Sequence, residues 1–224
     1  MDGRDEYKKH KVRVKRRTVA TAFAARKLPR HGRGDGGQTH LPALGRTAKC
    51  HPRLEACGAL DELLCAIGEV AARIEASSLE AAPRRALLRH LRRIQGELLQ
   101  LGGLVSGATD HTRRSRATAP AMVRQLENEI EEMEACLPAC QGFVLPGGNL
   151  PASAAHIARA ICRRAERDCV AALGDDASAP TVLPYLNRLG AWLFALARWL
   201  TEQLGNRERY WRGPARLRRS RRSR

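Results

Sequence analysis

Residues 183–200 read LPYLNRLGAWLFALARWL. Leucine recurs every three or four positions in this stretch, which is the spacing of one face of an amphipathic α-helix. Four other segments carry the same apolar period, and turn-forming residues separate them. The five segments cover about residues 54–75, 83–105, 121–137, 151–173 and 181–204. No alternating polar and apolar run indicates a strand, so the pattern predicts an all-α fold, a five-helix bundle in one domain.

The basic residues are concentrated at the two ends of the chain. The 224 residues carry a formal net charge of +17. Residues 1–30 contain eleven Lys/Arg and three Asp/Glu, and residues 206–224 contain nine Arg and one Glu, whereas residues 31–205 are close to neutral. Segments with high like charge and few apolar residues do not build a core. We therefore expect a folded domain over residues 31–205, between a disordered basic N-terminal extension and a disordered basic tail.

The basic ends have two interpretations. They are either solvated tails or a surface for RNA or another polyanion, since each phosphate contact of a basic residue releases counterions. Nucleic acid is not the expected partner. The first residues weakly resemble a mitochondrial transit peptide, but Asp2, Asp5 and Glu6 argue against one. No apolar stretch approaches the roughly 20 residues of a membrane span, and no secretory signal is visible. We expect a cytoplasmic protein with no membrane partner, with the mitochondrion as the alternative.

The cysteines indicate a reducing compartment rather than a disulfide framework. There are seven, and they form no Cys-x-x-Cys pair. Five of them fall within the helical segments and are expected to act as small apolar side chains: Cys57, Cys65, Cys136, Cys162 and Cys169. No Cys/His cluster has the spacing of metal ligands, so the sequence predicts no metal-binding residues.

The fourth helical segment carries charge where the other segments carry core residues. The residues at core spacing are His156, Arg159, Arg163 and Glu166. An unpaired charge is costly to bury, so this stripe has three explanations. It faces solvent, it pairs with carboxylates of another helix or subunit, or it lines an anion site. Two acidic residues of the first helix are candidate partners, Asp61 and Glu62.

Two glycine-rich stretches outside the helical segments contain candidate binding residues. The stretch RHGRGDGGQT, residues 30–39, is either a phosphate-binding loop or a flexible linker, because glycine permits close approach and arginine binds anions. It lacks the ending of a P-loop and follows no predicted strand, which excludes the Walker and Rossmann types. In GFVLPGGN, Phe143 is either a core anchor or an exposed ring for a flat ligand.

Together these blocks resemble the propanediol-utilisation type of ATP:cob(I)alamin adenosyltransferase. The matching blocks cover about residues 31–204 and are, in the family's order, GDGGQT, LGRTAK, EACGALDELLCAIG, IQGELLQLGGLV, FVLPGG, AAHIARAICRRAER and YLNRLGAWLFALAR. The resemblance implies transfer of the 5′-deoxyadenosyl group of ATP to Co(I) of cob(I)alamin, which gives adenosylcobalamin and triphosphate. It also implies Mg²⁺, a homotrimer whose substrates meet at subunit interfaces, a flavoprotein-type cobalamin reductase, and a cobalamin-dependent mutase or dehydratase.

The resemblance also assigns residues. The family's loop on the ATP phosphates corresponds here to Gly34, Asp35, Gly37, Thr39 and the following Lys49. Nucleotide-contacting positions of the family match Arg163, Glu166 and Asn187. Asp61 matches an aspartate that pairs with an arginine of the neighbouring subunit, here Arg159. Phe143 matches the aromatic residue at the lower face of the corrin ring.

The chain departs from the family pattern at three places. His31, Gly32 and Arg33 stand where the family has Thr-Lys-Thr, and Arg33 is expected to replace the lysine. Gly190 and Ala191 replace Ser-Asp, and Leu64 replaces a common Asn. Two alternatives to the enzyme remain. One is a helical RNA- or anion-binding protein that acts through its basic ends, and the other is a family member that carries a corrinoid with weak catalysis.

Overall fold

The computed structural model describes residues 32–108 and 113–213, including every side chain in these ranges except those of 113–119. The predicted basic extension, residues 1–30, lies outside the described residues. The chain divides into two compact units, residues 1–36 and 37–224. In the first unit, residues 32–36 form a turn in which the amide of Asp35 donates to the carbonyl of Gly32 at 3.2 Å.

The described part of the second unit consists of a short hairpin followed by five helices. The antiparallel strands β1 and β2 cover Gln38–Leu41 and Gly45–Ala48. The helices α1 to α5 cover Pro52–Glu75, Ala81–Ser106, Arg113–Glu134, Leu150–Leu173 and Ala179–Gln203. The all-α, five-helix prediction is confirmed. The hairpin was not predicted, because the four-residue strands QTHL and GRTA contain no apolar alternation.

A capping side chain and a first-turn proline mark the start of α1 and of α4. At the start of α1, Nδ1 of His51 accepts a hydrogen bond from the amide of Arg53 at 3.1 Å. Asn149 caps α4 in the same way, with its Oδ1 accepting from the amide of Ala152 at 2.8 Å. A proline in the first turn, such as Pro151, has no N–H to leave unpaired. Helices α1, α2, α4 and α5 begin within three residues of their predicted starts, although α2 and α5 have no side-chain cap.

The predicted start of α3 is wrong. The sequence predicts a helix that begins after Pro120, but α3 begins at Arg113 and contains Pro120. A proline inside a helix removes one backbone hydrogen bond. Pro120 itself is exposed. Proline thus does not mark a helix boundary here.

The core consists of the apolar residues that recur with the helical period in the sequence. Helix α4 packs against α1 and α5, α2 packs against α1, and α3 packs against α5. Small residues on α4 let its neighbours approach closely, and they include Ala155, Ala158, Cys162 and Ala165. The α5 leucines fill the space between helices, and five of them are fully buried: Leu186, Leu189, Leu193, Leu196 and Leu200. Each contributes about 1.5 to 3 kcal/mol by leaving water.

A buried ionic network joins α2, α3 and α5. The Arg93 guanidinium donates to both oxygens of Glu97 and both oxygens of Glu129, at 2.8 to 2.9 Å. Tyr185 donates to Glu97 at 2.6 Å, and Nε1 of Trp192 donates to Glu129 at 2.9 Å. A shift of any of the three helices would leave a buried carboxylate without its partners, which is costly. The network therefore fixes the register in which the helices pack.

All seven cysteines are free thiols, and the prediction for them is only partly correct. Cys162 and Cys169 are buried in α4, and burial raises the pKa of each thiol to about 12. Cys65 is exposed on α1, and Cys136 is exposed beyond the end of α3, so neither belongs to the core. Among the described residues, no three His, Cys, Asp or Glu side chains form a group that could hold a metal ion. None of the described helices combines the length and apolar character of a bilayer span.

Candidate functional site

Polar residues of α4 and α5 meet where the two helices pack. Nδ2 of Asn187 donates to Oε1 of Glu166 at 3.0 Å. Arg163, one turn before Glu166, is exposed, and a Cβ placed at Gly190 would lie 3.9 Å from its Cγ. The structure thus brings together three residues predicted to contact the nucleotide, here called the polar cluster: Arg163, Glu166 and Asn187. A cation, a carboxylate and an amide on one surface can bind phosphate oxygens and hydroxyl groups.

Arg159 lies one turn before the polar cluster and has an incomplete set of partners. Its guanidinium lies over the ring of Phe194, 5.7 Å from the ring centroid. Its Nε is buried and has no hydrogen-bond partner in the described part of the chain. Asp61 is exposed on α1, and among the described residues no ion pair joins it to Arg159. The predicted pairing of Asp61 with Arg159 is therefore not made within one subunit.

The neighbouring acidic residue of α1 does pair with α4. Glu62, one of the two predicted partners for the α4 arginines, forms an ion pair with Arg164. Hydrogen bonding to Glu62 raises the pKa of the Arg164 guanidinium. Both side chains are well exposed, so the pair orients Arg164 more than it stabilises the fold.

The hairpin brings the second half of the glycine loop close to Lys49. The amide of Lys49 donates to the carbonyl of Gly37 at 2.9 Å, and Thr39 pairs with Thr47 in the register of the strands. Gly37 has a φ of +73°, in the left-handed region that favours glycine. Gly37, Thr39 and Lys49 are therefore neighbours. The other predicted loop residues belong to the turn in the first unit, namely Arg33, Gly34 and Asp35.

Phe143 presents its ring at the surface from a loop held by backbone hydrogen bonds. The residue is 79% exposed, which excludes its interpretation as a core anchor. The carbonyl of Phe143 accepts from the amide of Trp211 at 2.8 Å, and the amide of Leu145 donates to the carbonyl of Arg209 at 2.7 Å. The rings of Phe143 and Trp211 meet edge to face with centroids 6.5 Å apart. We call these two rings the aromatic corner.

The C-terminal tail is part of this structure as far as residue 213. Charge composition predicts a disordered tail from residue 206, but residues 206–213 lie beside the Phe143 loop and pair with it. The remaining residues 214–224 lie outside the described ranges. Trp211 is not among the residues that the resemblance assigns to the site. The sequence signal that could have indicated Trp211 is an interruption of the arginine run by Glu208, Tyr210 and Trp211 itself.

A buried ion pair anchors the segment 206–213 to α5. Nε of Arg198 donates to Glu208 at 2.5 Å, and the two side chains are 6% and 9% exposed. The same guanidinium donates to the carbonyl of Pro138 at 2.7 Å, and the hydroxyl of Tyr210 donates to Glu208. Burial by itself would raise the pKa of Glu208, but hydrogen bonds from Arg198 and Tyr210 outweigh it and lower that pKa. The pair is therefore charged at neutral pH.

A cavity of about 460 Å³ lies between the Phe143 loop and this segment. Its lining includes residues 144–148, 206–209, Arg198 and His156. His156 is 5% exposed, and its Nδ1 has no hydrogen-bond partner in the described chain. Burial, and then the charge of Arg159, lower the pKa of His156, so the imidazole is neutral at neutral pH.

Comparison with known proteins identifies this helical bundle as a cobalamin adenosyltransferase fold. Residues 31–200 match the family model for cobalamin adenosyltransferase. The corrinoid adenosyltransferase of Bacillus subtilis (strain 168) is 39% identical over 173 residues, which are 77% of this chain and 86% of that protein. The cobalamin adenosyltransferase of Cupriavidus metallidurans is 38% identical over 180 residues, or 80% and 90% of the two chains.

Solved structures agree with the sequence comparisons. One is a phenylalanine-to-alanine variant of a PduO-type ATP:corrinoid adenosyltransferase from Lactobacillus reuteri, complexed with cobalamin and ATP. It superposes with a TM-score of 0.69 at 29% identity over 80% of this chain and 97% of that chain. An arginine-to-lysine variant of the L. reuteri protein complexed with ATP gives a TM-score of 0.68 at 30% identity, over 80% and 98%. The chain belongs to the cobalamin adenosyltransferase family.

Proposed function

We propose that this protein is a corrinoid adenosyltransferase, which transfers the 5′-deoxyadenosyl group of ATP to Co(I) of cob(I)alamin and forms adenosylcobalamin and triphosphate. The observation that carries the proposal is the aromatic corner, where the exposed Phe143 is held by backbone hydrogen bonds beside Trp211. Such a surface suits a large flat ligand. The similar protein from L. reuteri is complexed with cobalamin and ATP.

ATP binding is assigned to the polar cluster and the glycine loop. Glu166 and Asn187 are already hydrogen-bonded to each other, so their polar groups are oriented before a nucleotide arrives. Arg163 is exposed and adds a positive charge for a phosphate. The family resemblance assigns to the triphosphate the loop residues Arg33, Gly34, Asp35, Gly37, Thr39 and Lys49. Glycines in this loop let backbone amides approach the phosphate oxygens.

Where Mg²⁺ accompanies ATP, the phosphates would supply most of its ligands. No protein cluster within the described residues could hold the ion alone. Mg²⁺ needs only one or two protein carboxylates when phosphates and water complete its octahedron. Asp35 is exposed in the glycine loop and would supply one carboxylate, so the residues present fit this arrangement.

The transfer needs alignment rather than a protein base. Co(I) is a strong nucleophile and supplies both electrons of the new Co–C bond when it attacks C5′ of ATP. The C5′–O bond breaks, and triphosphate leaves with its electron pair. What the protein supplies is the orientation of cobalt toward C5′ and the neutralisation of the leaving group. Arg163 and Lys49 are the candidates for the second task.

Phe143 is assigned to the formation of Co(I). An apolar ring against the lower face of the corrin displaces the lower axial ligand of cob(II)alamin and excludes water from that face. Removal of this ligand makes the reduction to Co(I) easier. The electron comes from a flavoprotein-type cobalamin reductase, and the product passes to a cobalamin-dependent mutase or dehydratase.

The site is completed by a second copy of the chain in a homotrimer. Asp61 and Arg159 lack ion-pair partners within the described part of one chain, which leaves each available to the other across an interface. Leu150 and Ile157 lie two turns apart on α4 and are 65% and 61% exposed. They line a depression together with Ala66 of α1. An exposed apolar face beside unpaired charges is typical of a surface that another subunit covers.

An anaerobic assay with chemically reduced cob(I)alamin and ATP tests the proposal. We expect a Co–C bond, seen in the corrin absorption spectrum, and one triphosphate released for each adenosylcobalamin. Cobalamin binding without turnover would instead indicate the corrinoid carrier. Removal of residues 1–30 and 214–224 should leave turnover unchanged, whereas an RNA-binding protein would lose its salt-dependent affinity for RNA.

A further inference from the structure

Arg198 contacts both flanks of the loop that carries Phe143. On the N-terminal flank its guanidinium donates to the carbonyl of Pro138 at 2.7 Å. On the other side it pairs with Glu208, whose segment is hydrogen-bonded to Phe143 and Leu145. The residue lies on α5 and is itself 5% exposed. A single buried cation thus connects the two stretches of chain that hold the aromatic corner.

The ion pair of Arg198 with Glu208 is buried, unlike the exposed pair of Glu62 with Arg164. Charges removed from water are tolerated only when their partners satisfy them almost completely. Glu208 meets this condition, because it accepts hydrogen bonds from Nε and Nη2 of Arg198 and from the hydroxyl of Tyr210. These bonds require one position of Glu208 relative to α5. The two residues that follow, Arg209 and Tyr210, are thereby placed against the Phe143 loop.

We infer that Arg198 and Glu208 are positioning residues of the corrinoid site, which hold Phe143 where its ring displaces the lower axial ligand of cob(II)alamin. The inference rests on the function proposed above for Phe143. A ring that is 79% exposed has little packing of its own to resist a returning ligand. Its position depends on its backbone, and the backbone is held by Trp211 and by the segment that Glu208 anchors.

The same contacts specify the step that the ion pair affects. Neither Arg198 nor Glu208 shares a hydrogen bond with the polar cluster on α4 and α5. Loss of the pair should therefore leave ATP binding unchanged. It should also spare the reaction of cobalamin that is already Co(I), because no lower ligand has to be displaced at that stage.

Glu208→Gln is the main test, since it removes the charge and keeps the shape of the side chain. Electron paramagnetic resonance of cob(II)alamin bound with ATP measures the four-coordinate fraction. We expect this fraction, and turnover that starts from cob(II)alamin and a reductant, to fall about threefold or more. The KM for ATP and turnover from chemically prepared cob(I)alamin should change less than about twofold. Hydrogen exchange of residues 206–213 should become about tenfold faster.

Three further variants make the comparison specific. Glu202→Gln is the matched control, because Glu202 is an exposed glutamate near the end of α5 whose side chain makes no hydrogen bond within the described part of the chain. It should behave as wild type. Arg198→Lys keeps the positive charge but not the simultaneous contact with Pro138 and Glu208, and Arg198→Met keeps neither. The four-coordinate fraction of Arg198→Lys should lie between those of wild type and Arg198→Met.

The possible contrary results are distinguishable. An unchanged four-coordinate fraction in Glu208→Gln, despite faster exchange of the segment, would refute the positioning role and leave the proposed function intact. An equal loss of turnover from cob(II)alamin and cob(I)alamin would show a general structural role and would also refute the inference. Absence of the four-coordinate species in wild type with ATP would refute the proposed role of Phe143 together with the inference.

Discussion

Replacement of Phe143 by alanine should cost little stability and should lower one activity selectively. Phe143 is 79% exposed, so only about a fifth of its surface is buried. Since a fully buried Phe covers about 200 Å², about 40 Å² of apolar contact is lost, which corresponds to about 1 kcal/mol. Loss of the edge-to-face contact with Trp211 adds about 1 kcal/mol. The sum of about 2 kcal/mol is smaller than the 3 to 5 kcal/mol, roughly, of a truncated core Phe.

Urea unfolding of the two proteins measures this difference directly. At matched folded concentration, turnover from cob(II)alamin with a reductant should then fall steeply, while turnover from cob(I)alamin should fall less. The electron paramagnetic resonance spectrum of cob(II)alamin bound with ATP should lose its four-coordinate species. A stability loss above about 3 kcal/mol would show that Phe143 is a packing residue. Identical spectra in wild type and Phe143→Ala would refute its assignment to the lower face of the corrin.

Three further predictions concern charged side chains. Asp61→Ala and Arg159→Ala should each weaken subunit association more than the double variant does, because each single change strands a charge; additive effects in sedimentation would contradict the intersubunit pair. Arg93→Met should lower the free energy of unfolding by about 3 to 5 kcal/mol, because two buried carboxylates lose their shared cation; a loss below about 1 kcal/mol would contradict the network. Hydrogen bonds from Ser178 lower the pKa of Asp176, so its contribution to stability is complete above about pH 4 and is lost as the pH falls further. Asp176→Asn should therefore reduce stability at neutral pH and flatten acid unfolding, and superimposable acid-unfolding curves would refute this.

The helices could be predicted because one physical cause determines both the sequence pattern and the structure. Leucines on α5 recur with the helical period because that face is buried, and the burial of Leu186 to Leu200 confirms it. The hairpin was not predicted, since its strands are short and polar and depend on backbone pairing. The start of α3 was mispredicted because Pro120 is tolerated on an exposed helix face.

The site residues could be predicted only where helical spacing or the family resemblance indicated them. Arg163 and Glu166 are three residues apart, so any helix places them on one side. Their meeting with Asn187 joins two helices, and only the resemblance indicated it. The contacts of Trp211 with Phe143 and of Glu208 with Arg198 were not predicted. They join a charged segment to distant positions, and such pairing leaves no period in the sequence.

The location of residues 206–213 determines the order in which the site is completed during biosynthesis. These residues leave the ribosome after all five helices. The bundle core can therefore form first, since N-terminal parts of a chain fold as they emerge. Until the segment arrives, Phe143 has neither its backbone partner nor its neighbouring ring. On the proposed assignment of Phe143, the lower face of the corrinoid site is therefore the last part of the chain to be completed.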